Sequence, residues 1–230
     1  MFLDPSIDII KLRLTHNAIT QLAGLERLVN LDELTLSDNP IGSESLQCLQ
    51  SLTRLNHLSL AGCQLTSFPA VLMDLPELRY LDLSMNQLTN LHSDLFHRLS
   101  RLQFLDVSHN QLSSLPSRGL SISRYLKELK LNNNRIQTLP DDITQLHWLT
   151  TLALDNNPLN ALPTNMVALS DIVQIIIDGI WAQKIGESLQ NISYMQPSAR
   201  FDIGYSETFG MREDMEDGIV IQGAFGGRKV

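Results

Sequence analysis

The chain has 230 residues, of which 43% are hydrophobic, and this is enough apolar material for a continuous core. Its formal net charge of -8 argues against binding to nucleic acid or to an anionic membrane surface, because both attract basic proteins. Its two cysteines, Cys48 and Cys63, do not form the clusters that cap extracellular repeat proteins. No secretory leader or long apolar run is present, so we expect a cytoplasmic protein without a membrane span.

One pattern of leucine and asparagine recurs at intervals of 22 to 24 residues along most of the chain. It has the form L-x-x-L-x-L-x-x-N/C-x-L, as in Leu78, Leu81, Leu83, Asn86 and Leu88. The Asn or Cys position of the seven copies falls at Asn17, Asn39, Cys63, Asn86, Asn110, Asn134 and Asn157. The pattern resembles the leucine-rich-repeat family over residues 7 to 180. That resemblance implies an α/β solenoid of seven or eight repeats, with a curved parallel sheet and short helices or turns on its convex side.

The two leucines that lie two positions apart in each repeat define a short strand. Leu81 and Leu83 are expected to face the core, while Tyr80 and Asp82 face the opposite side. The sequence therefore predicts strands centred near residues 12, 34, 58, 81, 105, 129 and 152, and an eighth near 175. Segments such as Leu139-Pro140-Asp141-Asp142 predict short helical turns on the convex side.

Changes in pattern divide the chain into four parts. Residues 1–169 are the predicted solenoid, and 170–194 are a C-terminal cap repeat in which residues 181–192 form an amphipathic helix. Residues 195–201, which contain Pro197, have the composition of a linker. Residues 202–230 alternate like β-strands but lack the leucine period, and we expect them to pack loosely for want of partner strands.

The last part carries the motif Gly210-Met211-Arg212-Glu213-Asp214-Met215-Glu216-Asp217. This motif and the strands around it, about thirty residues, resemble the opening of a metal-dependent serine/threonine phosphatase of type 2C. The resemblance implies that Arg212 holds the substrate phosphate and that Glu216 and Asp217 bind Mg²⁺ or Mn²⁺, for which these groups are chemically suited. The later metal-binding segments of that family are not present. We therefore expect no cofactor and no phosphatase activity in this chain, and activity only in a complete domain.

The strand residues that face away from the core form an extended concave surface suited to a protein partner. Two aromatic residues lie at its centre, with acidic, basic and histidine side chains around them. The predicted partner-binding residues are His57, Tyr80, Asp82, Phe104, Asp106, His109, Glu128 and Lys130. We predict no small-molecule substrate, because the histidines have no repeated ligand spacing and the glycines at 223–227 lack the lysine of a phosphate-binding loop.

Two functions remain open on these grounds. In the first, the repeats target a type-2C phosphatase domain to its substrates by binding a protein. In the second, the chain resembles the repeat region of adenylate-cyclase-like signalling proteins, which also place a phosphatase-like segment after such repeats. That second resemblance implies that the repeats bind a small GTPase.

Overall fold

The computed structural model describes residues 8–163, 169 and 174–178 with their side chains, and the backbone of residues 200–204 and 218–224. The predicted cap helix at 181–192 and the three phosphatase-motif residues Arg212, Glu216 and Asp217 lie outside the described residues. Within the described part of the chain, no helix is both long enough and apolar enough to cross a membrane.

Each repeat contributes one short strand to a single sheet. The strands are β1 (Lys11–Arg13), β2 (Glu33–Thr35), β3 (His57–Ser59), β4 (Tyr80–Asp82), β5 (Phe104–Asp106), β6 (Glu128–Lys130), β7 (Thr151–Ala153) and β8 (Gln174–Asp178). They are parallel and follow chain order, and equivalent leucines are paired in register, as in Leu58, Leu81 and Leu105. All eight predicted strand positions are confirmed, because the leucine period places one strand in every repeat.

The opposite side of the solenoid consists of short helical turns. Short 3-10 helices span Leu25–Arg27, Ser43–Ser51, Ala70–Asp74, Leu120–Ile122 and Asp141–Gln145, and a four-residue α-helix, α1, spans Leu95–Arg98. Pro69 and Pro140 hold the extended backbone that precedes two of these turns. The turn predicted after Leu139 is therefore confirmed, whereas most of the equivalent segment in the next repeat, 164–168, lies outside the described residues.

The core is a stack of aliphatic side chains between the sheet and the convex turns. One row of it is fully buried: Leu36, Leu60, Leu83, Val107, Leu131 and Leu154. Leu14, the first member of that row, is only partly buried because no described repeat covers it on its outer side. This confirms the predicted register, because a slip of one residue would have turned this row of side chains towards solvent.

A ladder of asparagine side chains joins successive repeats. Asn110 donates from Nδ2 to the carbonyl oxygens of Leu83 (2.9 Å) and Val107 (3.1 Å), and its Oδ1 accepts from the Leu88 N–H (2.9 Å). Asn86, Asn134 and Asn157 repeat this arrangement. Each asparagine thus pairs backbone groups that would otherwise be buried without a partner.

Cys63 occupies the ladder position of the third repeat with only half of this bonding. Its thiol donates to the Leu36 carbonyl oxygen at 3.3 Å, but it provides no amide oxygen as an acceptor. The Ile41 N–H, which an asparagine at position 63 would serve, bonds instead to the Asn39 carbonyl oxygen at 2.8 Å. Burial raises the pKa of the Cys63 thiol to about 11, as expected for a structural cysteine.

Two antiparallel strands extend the sheet beyond the repeats. β10 (Gly218–Ala224) pairs with β8, with Ile219 opposite Ile177 and Ile221 opposite Ile175. β9 (Arg200–Gly204) pairs with the outer side of β10 and begins within the segment predicted as a linker. The expectation that residues 202–230 lack partner strands is therefore wrong, because β10 pairs with the edge of β8 and with β9.

Candidate functional site

Three ring side chains form a stack at the centre of the concave face. His57, Tyr80 and Phe104 occupy the same register position in β3, β4 and β5. The ring centroids of His57 and Tyr80 are 3.9 Å apart with planes 7° from parallel, and those of Tyr80 and Phe104 are 4.2 Å apart at 4°. We call these three residues the aromatic row. Neighbouring strands lie about 4.8 Å apart, so in-register rings need only lean slightly to touch.

Lys130 closes one end of the aromatic row. Its Nζ lies 5.0 Å from the centroid of the Phe104 ring, within the range of a cation–π contact. Because the rings cover one another and Lys130 lies over Phe104, Tyr80 and Phe104 present ring edges to a partner rather than ring faces. A surface already fixed by stacking loses little conformational entropy when a partner binds.

Two aspartates lie beside the aromatic row, and both are held by the loops that follow their strands. Asp82 accepts from the Ser84 N–H at 2.9 Å and from the Ser59 hydroxyl at 3.3 Å. Asp106 accepts from the N–H (2.9 Å) and the hydroxyl (2.6 Å) of Ser108, and its carboxylate lies 3.7 Å from Lys130 Nζ. These carboxylates therefore shape the loops as well as charging the surface.

Burial and charge set the protonation states along the row. Burial, and then the nearby carboxylates of Asp82, Asp106 and Glu128, raise the pKa of Tyr80 to about 12. Burial also lowers the pKa of His57, which favours the neutral ring. At neutral pH the row therefore offers an uncharged imidazole and a phenol that can donate a hydrogen bond.

The structure brings together seven of the eight residues predicted to bind a partner. Glu128 lies opposite Phe104 in the β5–β6 register, beside Lys130. His109 is the exception, because it lies in an exposed left-handed turn after β5 (φ 52°), where its Nε2 is 3.4 Å from Asn133 Nδ2. That these residues contact a partner stays a prediction.

Two serines that support the site were not predicted. Ser59 and Ser108 are buried and hold the carboxylates of Asp82 and Asp106. The repeated Asp-x-Ser spacing at residues 82–84 and 106–108 is a sequence signal that could have identified the loop contacts.

The N-terminal end of the concave face has a different character, because two cations there share one carboxylate. Glu33 on β2 lies 2.9 Å from Lys11 Nζ and 2.7 Å from Arg13 Nη2. Hydrogen bonds from these two cations lower the pKa of Glu33 to about 2. Among the residues that the structure describes, no group of three His, Cys, Asp or Glu side chains is arranged to hold a metal ion.

Comparison with protein families supports the repeat assignment. Three leucine-rich-repeat family models match the chain, at residues 28–49, 53–112 and 125–146.

Two curated relatives match parts of the repeat region. The 187-kDa microtubule-associated protein AIR9 of Arabidopsis thaliana is 34% identical over 91 residues, which cover 40% of this chain and 5% of AIR9. The flightless-1 homolog of Caenorhabditis elegans is 36% identical over 93 residues, which cover 39% of this chain and 7% of that protein.

Solved structures show the same solenoid. Internalin C2 of Listeria monocytogenes matches with a TM-score of 0.58 and 26% identity, covering 74% of this chain and 80% of the internalin. A leucine-rich-repeat protein of Leptospira interrogans matches with a TM-score of 0.54 and 25% identity, covering 74% of this chain and 54% of that protein. None of the four proteins named here is described as a phosphatase.

Proposed function

We propose, from the premise that this chain is a leucine-rich-repeat protein, that it binds a protein partner across its concave face. The observation that carries the proposal is the stack of His57, Tyr80 and Phe104, closed by Lys130. Aromatic residues and arginines dominate the binding energy of protein interfaces, particularly when they are centrally placed and held rigidly. A cytoplasmic setting fits the reduced cysteines Cys48 and Cys63.

The charge around the aromatic row defines what the partner surface must supply. Asp82 and Asp106 have committed part of their hydrogen-bonding capacity to Ser84 and Ser108, while Glu128 forms no ion pair among the described residues. Donors on the partner can therefore be shared among the three carboxylates. The Tyr80 hydroxyl offers a donor of its own to a carbonyl or carboxylate of the partner.

Variants on the two sides of the solenoid test this proposal. Affinity capture from a lysate of the source organism, with the Tyr80→Ala/Phe104→Ala variant run in parallel, identifies proteins that depend on the aromatic row. Titration of the purified partner should then show a loss of roughly tenfold or more for the double variant. The control is Gln47→Ala/Gln50→Ala, two exposed residues of a convex turn, and it should bind as the wild type does. A partner that binds the two double variants equally would place the interface elsewhere.

We propose further that the repeats target a type-2C phosphatase domain that begins near residue 202. The support is the motif from Gly210 to Asp217, in which Arg212 would hold the phosphate. The carboxylates of Glu216 and Asp217 would supply ligands for Mg²⁺ or Mn²⁺, which favour oxygen donors and would provide Lewis-acid chemistry.

A chain extended through the following coding sequence tests this second proposal. We expect it to release phosphate from a phosphoserine or phosphothreonine peptide only when Mg²⁺ or Mn²⁺ is present, and Asp217→Asn should abolish that release. Asp214→Asn, in the same acidic run but at a position that the pattern G-x-R-x-x-M-E-D leaves open, is the matched control. A folded extended chain without hydrolysis would contradict the phosphatase proposal. A cyclase domain in that extension, with a small GTPase bound to the repeats, would support the adenylate-cyclase-like alternative.

A further inference from the structure

A second surface lies on the flank of the solenoid, just before strands β4 to β7. It consists of the four segments 76–79, 100–103, 124–127 and 147–150, which we call the basic flank. Backbone bonds join these segments directly: Gln103 N–H to Arg79 O, Lys127 N–H to Gln103 O and Thr150 N–H to Lys127 O, each 2.8 Å. The side chains of the four segments are therefore neighbours along the solenoid axis.

Two large aromatic residues of the basic flank are open to solvent. Tyr125 is 58% exposed and Trp148 is 60% exposed, and each immediately precedes the first buried leucine of its repeat. They consequently occupy equivalent places in adjacent repeats. Exposed apolar residues scattered singly need no explanation, but two large aromatics at equivalent positions of adjacent repeats form a patch of the kind that marks an interaction site.

The same position in the preceding repeats has a different occupant. Arg54 donates to Asn30 Oδ1 at 2.8 Å, and Arg101 forms an ion pair with Glu77, so each pair links two repeats by polar contacts. Tyr125 and Trp148 occupy the position at which the preceding repeats carry these solvated polar pairs. The fold is therefore compatible with polar side chains at that position. Their hydrophobic surface is therefore not required by the repeat itself.

Positive charge surrounds the two aromatics. The basic flank contains Arg79, Arg101, Arg124 and Lys127 but only one carboxylate, Glu77, which is paired with Arg101. Arg79, Arg124 and Lys127 are exposed and form no ion pair among the described residues. This excess is local, because the whole chain carries a net charge of -8.

We propose that the basic flank binds an acidic segment of a partner polypeptide, with Trp148 and Tyr125 as apolar anchors. Trp, Tyr and Arg are the residue types that contribute most to protein interfaces, and here they lie together and exposed. A polypeptide fits better than a nucleic acid, because three unpaired cations neutralise few phosphates and the chain as a whole is acidic. This surface is distinct from the concave face, so the proposal does not depend on the aromatic row.

A phage-displayed library of random 12-residue peptides provides the probe. After selection on the immobilised 230-residue chain, clones are measured for binding to Trp148→Ala, to Arg124→Glu/Lys127→Glu and to Tyr80→Ala. We expect clones rich in Asp and Glu that lose roughly tenfold or more in affinity with the first two variants and bind Tyr80→Ala unchanged. Val29→Ala, a half-exposed residue on the flank of the second repeat, and Arg135→Glu, an exposed cation outside the basic flank, are matched controls that should have no effect.

Three results would overturn the proposal. The first is the recovery of clones without acidic residues, and the second is the absence of any clone that depends on Trp148. The third is Trp148-dependent binding of a 20-nucleotide single-stranded RNA or of phosphatidylserine vesicles in preference to the acidic peptides. Circular dichroism and melting temperature confirm that each variant is folded, which is expected because the substituted side chains are exposed or, for Tyr80, only partly buried.

Discussion

At the scale of single residues, the asparagine ladder supplies hydrogen bonds to buried peptide groups, which leucine packing cannot supply. Each repeat buries peptide groups at the bend after its strand, where no neighbouring strand can reach them. Asn110 serves one N–H and three carbonyl oxygens of these groups, whereas Cys63 serves carbonyl oxygens only. The asparagine and cysteine positions of the ladder therefore differ in the hydrogen bonds they form, although they share one place in the repeat.

This inequality predicts different costs for truncation. Asn110→Ala leaves several buried groups unpaired, at about 1 to 3 kcal/mol each, so we expect the free energy of unfolding to fall by about 3 kcal/mol or more. Cys63→Ala removes weak thiol bonds, and we expect a loss of about 1 kcal/mol. Urea denaturation followed by circular dichroism measures both. Equal losses would show that the amide bonds of the ladder contribute little.

Asp106 shows where prediction from strand alternation reaches its limit. The alternation of the strand places Leu105 in the core and Asp106 on the opposite face, and both assignments are confirmed. Alternation alone treats Asp106 as a solvated residue, whose loss costs no more than about 0.5 kcal/mol. It cannot show that Asp106 accepts two hydrogen bonds from Ser108, because those depend on the turn that follows.

We therefore expect a larger effect at Asp106 than the sequence suggests. Asp106→Ala should lower the free energy of unfolding by about 1 to 2 kcal/mol, and Leu105→Ala by about 2 to 5 kcal/mol because it opens a cavity. Asp106→Ala in a chain that already carries Ser108→Ala should cost clearly less, and this double-mutant cycle isolates the contact. Additive losses would mean that the Ser108 bonds contribute nothing to stability.

At the scale of elements, the first strand is held to its neighbour by ion pairs, whereas the later strands are held by buried side chains. β1 is largely exposed, and its Lys11 and Arg13 both hold Glu33 of β2. The Glu33 side chain is only 10% exposed, whereas the side chains of Lys11 and Arg13 remain largely open to solvent. The carboxylate has its pKa lowered from 4.5 to about 2, so it stabilises the fold in its ionised form.

The clamp predicts a pH dependence with a definite sign. A lowered pKa contributes stability above the unfolded value of 4.5 and loses that contribution as the pH falls towards about 2. Glu33→Gln should therefore melt at a lower temperature than the wild type at pH 7, and the difference should shrink between pH 4.5 and pH 2. Glu44→Gln, at an exposed convex position, is the control. A difference that stays constant over this range would exclude the charge of Glu33 as its cause.

The candidate site was predictable as a set of residues but not as an arrangement. In-register repeats place Tyr80 beside Phe104, and this followed directly from the spacing of the leucines. The parallel stacking of the rings depends on side-chain rotamers, which the spacing does not determine. The exposed pair Tyr125 and Trp148 was missed because their residue types alone do not mark a surface. Only a comparison of the same position in successive repeats shows that polar side chains occupy it elsewhere, so the repeat does not require aromatic residues there.

At the scale of the whole molecule, a solenoid has two ends at which its sheet would stop with unpaired backbone groups. At the C-terminal end, β10 pairs with the edge of β8 along five residue pairs, and β9 follows. No local sequence pattern predicts this pairing, because residues 179–217 separate β8 from β10. The two strands also run antiparallel, unlike the strands of the repeats. The strand signal of residues 218–224 was visible, but its partner was not.

Pairing between β10 and β8 predicts that β10 protects the molecule from self-association. Val220 lies in the middle of β10, opposite Ile176 of β8 and Gly204 of β9. Val220→Pro removes an N–H and places a ring in the sheet, so we expect it to uncover the β8 edge, lower the melting temperature and produce concentration-dependent oligomers. Size-exclusion chromatography with light scattering measures the oligomers. Val220→Ala keeps the backbone donor and should remain close to the wild type in both respects. If Val220→Pro has the same mass and melting temperature as the wild type at every concentration, then β10 does not protect the edge of β8, and the end of the solenoid must be stabilised by other residues.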